Sequence, residues 1–317
     1  MIGLDPLTPF GRAWGASGVQ NFDGKGYPFH RWLSMIPGFD FNGMTFVGKS
    51  MTCDPTPGNM DLDDNLMPTT WKPSCIKVNL WKAAVLNAVG LSNPGAEALF
   101  AKDMWQRMTH PFFLSFAPQG ADEAERLENV RRFAAIFLRH LPNFHAMVGL
   151  QLNITCPNSK EDAGESGRLV IESQSALDEL RCLGIPVATK LNILMPPEMA
   201  REIERHPTCA GTVISNAVAW KDLGSLGISG KALFGSDESP LARFGGGGLS
   251  GAPLLPHVLK WVRDARSAGM RKHINAGGGI MRPRDALLMK EAGATSISIG
   301  SMAIVRPYNV QPTIKAA

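Results

Sequence analysis

Two hydrophobic periodicities alternate along the chain. Short runs of apolar and β-branched residues recur at 12–18 (RAWGASG), 44–50 (MTFVGKS), 111–117 (PFFLSFA), 146–155 (AMVGLQLNIT), 186–192 (PVATKLN), 211–217 (GTVISNA), 272–278 (KHINAGG) and 295–300 (TSISIG). Each has the length and residue types of a buried strand. Between them lie segments whose apolar positions step by three and four. In 121–141 the residues Leu127, Val130, Phe133, Ala134, Phe137, Leu138 and Leu141 make one stripe, which predicts a helix with a single core-facing side. Similar patterns over 167–184, 255–269 and 282–293 each end on a glycine suited to a helix C-cap. Strand followed by helix, repeated, predicts parallel βα units. Eight such strands favour an α/β fold of the (β/α)8 TIM-barrel type, spanning 1–317 as one domain.

Two stretches exceed a minimal barrel connection. The proline-bearing segment 51–82 and the segment 221–247 both follow strands, so both are expected as long loops over the C-terminal face, where barrel sites are built. The first is read as a lid or binding loop.

Composition narrows the classes. With 44% hydrophobic and 19% charged residues the chain can bury a large core. Its net charge of +4 is dispersed, which leaves no footprint for nucleic acid or an anionic membrane surface but suits a small anionic ligand. The opening MIGLDPLTPFGRAWGASG has no basic stretch followed by an apolar one, and no run of about 18 apolar residues occurs; the expectation is a cytoplasmic protein. Cys53, Cys75, Cys156, Cys182 and Cys209 are widely spaced without a CxxC pair, so no disulfide framework and no metal site is expected. His140 and His145 have no carboxylate at ligand spacing and read as packing or solvated residues.

Glycine carries the first chemical signal. The runs GGGGLSG at 245–251, NAGGGI at 275–280 and IGS at 299–301 come in succession near strand ends. Glycine permits positive φ and close approach, so several backbone amides can converge on one phosphate, and barrels hold phosphate after their last two strands. No GxGxxG follows the first strand, which argues for a mononucleotide over a dinucleotide.

The segment GLQLNITCPNS at 149–159 resembles the signature of dihydroorotate dehydrogenases, in which a strand ends in Asn-x-Ser/Thr-Cys-Pro-Asn. GASGV at 15–19, GKS at 48–50, PGN at 57–59, NAVGLSNPG at 87–95, ATKL at 188–191, ISNA at 214–217, GGLSG at 247–251, AGGGI at 276–280 and IGS at 299–301 follow in the family's order. The resemblance, to the class 1, cysteine-base type, implies an FMN-dependent oxidation of dihydroorotate to orotate in pyrimidine biosynthesis, with Cys156 as catalytic base. It implies that Ser17, Lys49, Ser50, Asn153, Lys190, Ser215, Gly251, Gly278, Gly279, Gly300 and Ser301 surround FMN, the last four at its phosphate. It further implies that Lys49, Asn87, Val89, Gly90, Leu91, Asn153, Asn158 and Asn216 hold the substrate. Asparagine, which both donates and accepts, suits a pyrimidine ring.

Ala217 stands where the family has Ser or Thr, Ala88-Val89 replaces Ser-Met, and 60–80 matches no family pattern. An FMN oxidoreductase acting on another dihydropyrimidine is therefore an alternative, as is a phosphate-binding lyase or aldolase barrel with Lys190 as a Schiff-base amine. Only MAIVRPYNVQPTIKAA follows IGS, where the family adds a helix, so a different cap or a partner is expected. Fumarate, NAD or quinone as electron acceptor, a separate electron-transfer subunit and a homodimer, common in the family, all stay open.

Overall fold

The computed structural model describes residues 5–154, 166–214 and 216–317. Its strands in chain order are β1 (Ala13–Gly15), β2 (Ile76–Asn79), β3 (Ala84–Asn87), β4 (Phe112–Phe116), β5 (Val148–Asn153), β6 (Val187–Leu191), β7 (Cys209–Ile214), β8 (Val218–Ala219), β9 (Gly248–Gly251), β10 (His273–Gly277) and β11 (Ser296–Ile299). Seven of them pair in parallel in the order β1-β11-β10-β7-β6-β5-β4. The ring closes through 45–51: Thr45 bridges Trp14, Val47 bridges Phe113 and Met51 bridges Phe116, all parallel. The Gly15 N–H donates to the Thr45 carbonyl at 2.8 Å, and the Gly48 N–H to that of Phe113 at 2.9 Å. All eight predicted strand segments supply staves of this α/β TIM barrel.

The helices in chain order are α1 (Pro28–Leu33), α2 (Ala96–Ala101), α3 (Glu123–His140), α4 (Ser166–Leu180), α5 (Pro197–Glu204), α6 (Gly230–Phe234), α7 (Leu255–Ser267), α8 (Pro283–Ala292), α9 (Met302–Val305) and α10 (Val310–Ala316). The local reasons for α3 are plain. Asp122 caps it by accepting from the Glu125 N–H at 2.9 Å, and acids in the first turn and Arg139 and His140 in the last complement its dipole. Val130, Phe133, Ala134 and Phe137 are buried on one face, and Phe133 stacks on Phe116 of β4 with ring centroids 3.8 Å apart. The expected stripe was too wide by one residue: Leu138, at the edge of the helical arc, is 39% exposed.

Leu7, Phe10, Trp14, Val47, Phe113, Ala188, Ala210 and Val213 form a packed cluster separate from the larger one. Strand alternation places its barrel members inside the ring, while the larger cluster fills the space under the helices.

A second sheet has no counterpart in the predicted strands. β2, β3, β9 and β8 pair antiparallel in that order. β9 lies within a glycine run, and GLSG has poor strand propensity. Its partner β3 lies more than 160 residues earlier in sequence, with Asn87 opposite Gly248. The C-terminal expectation is also corrected: α10 follows α9 and packs on α8, with Val310 and Ile314 buried and Lys290 Nζ donating to the Ala317 carbonyl at 2.9 Å.

Candidate active site

The C-terminal ends of the barrel strands open into a cavity of about 450 Å³, within the usual size of a small-ligand site. Its floor comes from strand ends, where the backbone stops pairing. Ser17, Lys49, Ser50, Asn153, Lys190, Ser298, Gly300 and Ser301 reach it from the barrel staves. Asn87, Val89, Gly90, Leu91 and Gly251 line it from the antiparallel sheet and the turn after β3, Asn216 from the segment after β7, and Gly278 and Gly279 from the turn after β10. Every sequence-predicted site residue that the structure describes therefore lines this one cavity. Cys156, Asn158 and Ser215 lie outside the described residues.

Polar contacts tie the floor together. Ser17 Oγ and Ser50 Oγ are 3.0 Å apart, and Ser50 Oγ and Ser115 Oγ 2.8 Å. The Asn216 amide donates to Asn153 Oδ1 at 3.0 Å, and the Asn153 amide lies 3.4 Å from Ser50 Oγ. This fixes which amide atoms face one another. Lys49 is almost wholly buried, donates to the Ser92 carbonyl and sits 4.8 Å over the Phe22 ring. Burial brings its pKa down to about 7, with Cys75 opposing weakly. A buried amine of this kind gains a full charge when an anion is set beside it.

The glycines after β10 answer to backbone geometry. Gly278 and Gly279 have φ of 101° and 88°, and a Cβ on Gly279 would stand 2.4 Å from the Leu255 amide nitrogen at the start of α7. Only glycine lets that turn lie against the helix entrance, and a 13-residue helix presents its amide ends there. No Asp or Glu is among the described lining residues, whereas Lys49 and Lys190 are. A glycine cradle, two lysines and no carboxylate fit an anionic mononucleotide with an anionic substrate.

The opposite wall was only partly foreseen. The segment 51–82 does lie over the C-terminal face, contributing Met60, Pro68, Thr69, Thr70, Trp71, Pro73 and Ile76. Tyr27, Phe29 and His30 at the start of α1 were missed; the signal was another long excursion, between the first two strands, carrying YPFHRW at 27–32. Tyr27 donates from its hydroxyl to the Gly18 carbonyl at 2.8 Å, and burial pushes its pKa up. His30 Nδ1 accepts from the Tyr27 N–H at 3.2 Å, and burial lowers the ring's pKa to about 4, so the imidazole is neutral. Asn59 clamps the 87–91 turn, its backbone N–H donating to the Val89 carbonyl at 2.8 Å and its amide to that of Ala88 at 2.7 Å. Ala217 lines the cavity with a methyl group and adds no hydroxyl to it.

The family model described as "Dihydroorotate dehydrogenase" matches residues 49–317, most of the chain. The chain belongs to the dihydroorotate dehydrogenase family. It is thereby a flavin-dependent oxidoreductase of the family that oxidises dihydroorotate to orotate in pyrimidine biosynthesis, and the Schiff-base lyase alternative falls away. The catalytic subunit of dihydroorotate dehydrogenase B (NAD(+)) from Anoxybacillus flavithermus is 28% identical over 239 residues, covering 74% of this chain and 69% of that protein. Its counterpart from Pelobacter propionicus is 28% identical over 274 residues, 83% of this chain and 76% of that protein. A crystal structure of DHODH from Eimeria tenella with ferulenol superposes with a TM-score of 0.65 over 99% of this chain and 84% of that one, at 19% identity. That likeness supports the barrel fold.

Proposed function

We propose that the chain binds FMN in this cavity and oxidises dihydroorotate there, with Cys156 as the base. The observation that carries the reading is the convergence on one cavity of the described family-matched positions, with a glycine cradle and two lysines. Gly278, Gly279, Gly300 and Ser301 would hold the phosphate, and Ser17, Ser50, Asn153, Ser215, Lys190 and Gly251 would surround the rest. FMN, when bound, supplies the acceptor for the hydride that leaves C6 of dihydroorotate. Lys49 pairs with the substrate carboxylate, and Asn87, Asn153, Asn158 and Asn216 donate to and accept from the ring, holding it in a reactive orientation; Val89, Gly90 and Leu91 close over it. Cys156, as thiolate, takes the proton from C5.

The names of the relatives support a separate electron-transfer subunit that passes the electrons on to NAD+. No helix among the described residues is long and apolar enough to cross a membrane.

The test is anaerobic stopped-flow mixing of holoprotein with dihydroorotate across pH 6 to 10. Bleaching of the flavin is expected, faster as the thiolate forms. Cys156→Ser should remain yellow and reduce about 10²–10⁴-fold more slowly, with Cys156→Ala slower still. A holoprotein that dihydroorotate does not bleach, while another dihydropyrimidine does, moves the substrate assignment to that compound, in line with Ala217.

A further inference from the structure

A column of polar side chains runs through the barrel interior from its floor to the cavity. Asp5, ahead of β1, lies with Oδ2 at 2.6 Å from His273 Nδ1. His273 Nε2 is 2.7 Å from Ser296 Oγ, the Asn275 amide nitrogen is 2.7 Å from the same oxygen, and Ser298 Oγ is 2.5 Å from Asn275 Oδ1. His273, Ser296, Asn275 and Ser298 are all buried, and Ser298 lines the cavity.

The direction of every bond follows from the first. A carboxylate only accepts, so His273 Nδ1 must carry the proton. Burial holds His273 below the usual histidine value, although Asp5 pulls the other way and Arg266 adds to the lowering. The neutral ring therefore offers Nε2 as an acceptor, and the Ser296 hydroxyl donates to it. Ser296 Oγ then accepts from the Asn275 amide, whose Oδ1 accepts the Ser298 hydroxyl proton. What Ser298 turns to the cavity is a lone pair.

We infer that Ser298 meets the bound cofactor as a hydrogen-bond acceptor, its hydroxyl aimed by Asp5 through His273, Ser296 and Asn275. The inference rests on the proposal that FMN occupies the cavity. Ser298 precedes the Gly300–Ser301 phosphate positions by two and three residues on the same strand end, so the donor it takes is one close to the phosphate, a ribityl hydroxyl. Asp5, His273, Ser296 and Asn275 are positioning residues.

Asp5→Asn reverses the column. Asp5 Oδ1 accepts from the Leu7 N–H at 2.9 Å, so the new amide keeps its oxygen there and turns its N–H₂ to His273 Nδ1. The imidazole then carries its proton on Nε2, the Ser296 hydroxyl and the Asn275 amide turn over, and Ser298 becomes a donor.

The experiment combines nitrogen-15 NMR of the histidines with FMN titration of apoprotein, followed by flavin fluorescence. Wild type should show His273 as the Nδ1–H tautomer, with Asp5→Asn switching it to Nε2–H. Ser298→Ala should weaken FMN binding roughly 3- to 10-fold, the range for one neutral hydrogen bond, and Asp5→Asn by no more than that, since a ribityl hydroxyl can also accept from the turned Ser298. The double variant should bind no worse than Ser298→Ala alone, because Asp5 acts through Ser298; a merely structural effect would multiply. An Nε2–H tautomer in wild type, a tautomer that Asp5→Asn leaves unchanged, unchanged affinity in Ser298→Ala, or multiplied losses in the double variant overturn the inference alone. Wild type that takes up no FMN overturns the cofactor reading and this inference with it.

Discussion

The two halves of the cavity are built differently. The floor and phosphate side consist of strand ends, held within the parallel ladder and tied by serine and asparagine side chains a few ångströms apart. The lid side consists of long excursions, 19–43 and 51–82, that carry aromatic and proline residues and contribute Tyr27, Phe29, His30, Pro68 and Trp71 to the cavity. On the floor each position answers to a backbone or charge requirement that few residues meet. On the lid most lining side chains are aromatic, proline or aliphatic. Binding of the cofactor and of the substrate ring is thus expected to depend on the first half, and the choice among related substrates on the second, where 60–80 departs from the family pattern.

The largest separation should come from Gly279→Val. Its Cβ would meet the Leu255 amide at 2.4 Å in a backbone of positive φ, and neither atom can move without shifting α7. FMN uptake should be abolished and the melting temperature lowered, both read in one thermal scan with and without FMN. A Gly279→Val protein that binds FMN with wild-type affinity removes the cradle from the floor.

Acid should act first through the lid. His30 is buried and neutral, with its pKa lowered to about 4. A histidine depressed in the fold is stabilising above its unfolded value, and that stability is lost as pH falls from about 6.5 toward 4, because the unfolded chain takes up the proton first. The loss should approach ~3 kcal/mol at the bottom of the window. His273 shifts in the same direction, so urea midpoints of wild type and His30→Phe should converge on acidification without meeting in slope. Parallel pH profiles for the two proteins would show that His30 is not the group that titrates.

The floor should respond to alkali instead. Lys49 falls to about 7 in the fold, so between pH 7 and 9 the unfolded chain holds more protons and the ligand-free protein gains stability as pH rises, by ~2 kcal/mol over that window. Above about pH 9 the buried thiols of Cys53, Cys75 and Cys209, whose pKa values burial raises, oppose the trend. Lys49→Met should flatten the rise, and an anion bound beside Lys49 should flatten it too. A rise that survives in Lys49→Met assigns it elsewhere.

Smallest is the effect of Trp71→Ala. The indole lines the cavity but is 69% exposed, so stability should change by less than about 1 kcal/mol. FMN affinity should stay constant while the KM for substrate rises a few-fold. A loss of FMN in this variant would move the lid into the cofactor site and erase the contrast.

Much of this protein was legible in its residue pattern. Eight strands, the principal helices and the three glycine runs are local features: period, cap and backbone permission are set within a few residues of chain. Ala217 and the unmatched 60–80 segment were equally visible as departures. Tertiary structure alone decided the rest. The antiparallel sheet needs β3 to meet β9 across more than 160 residues, a pairing that glycine-rich GLSG does not announce. Leu138 left the buried stripe because packing, not period, sets how wide a helix face is covered. Lys49 lost much of its basicity, and Asp5 found His273 across 268 residues, because burial and long-range hydrogen bonding act on side chains that only the closed barrel brings together.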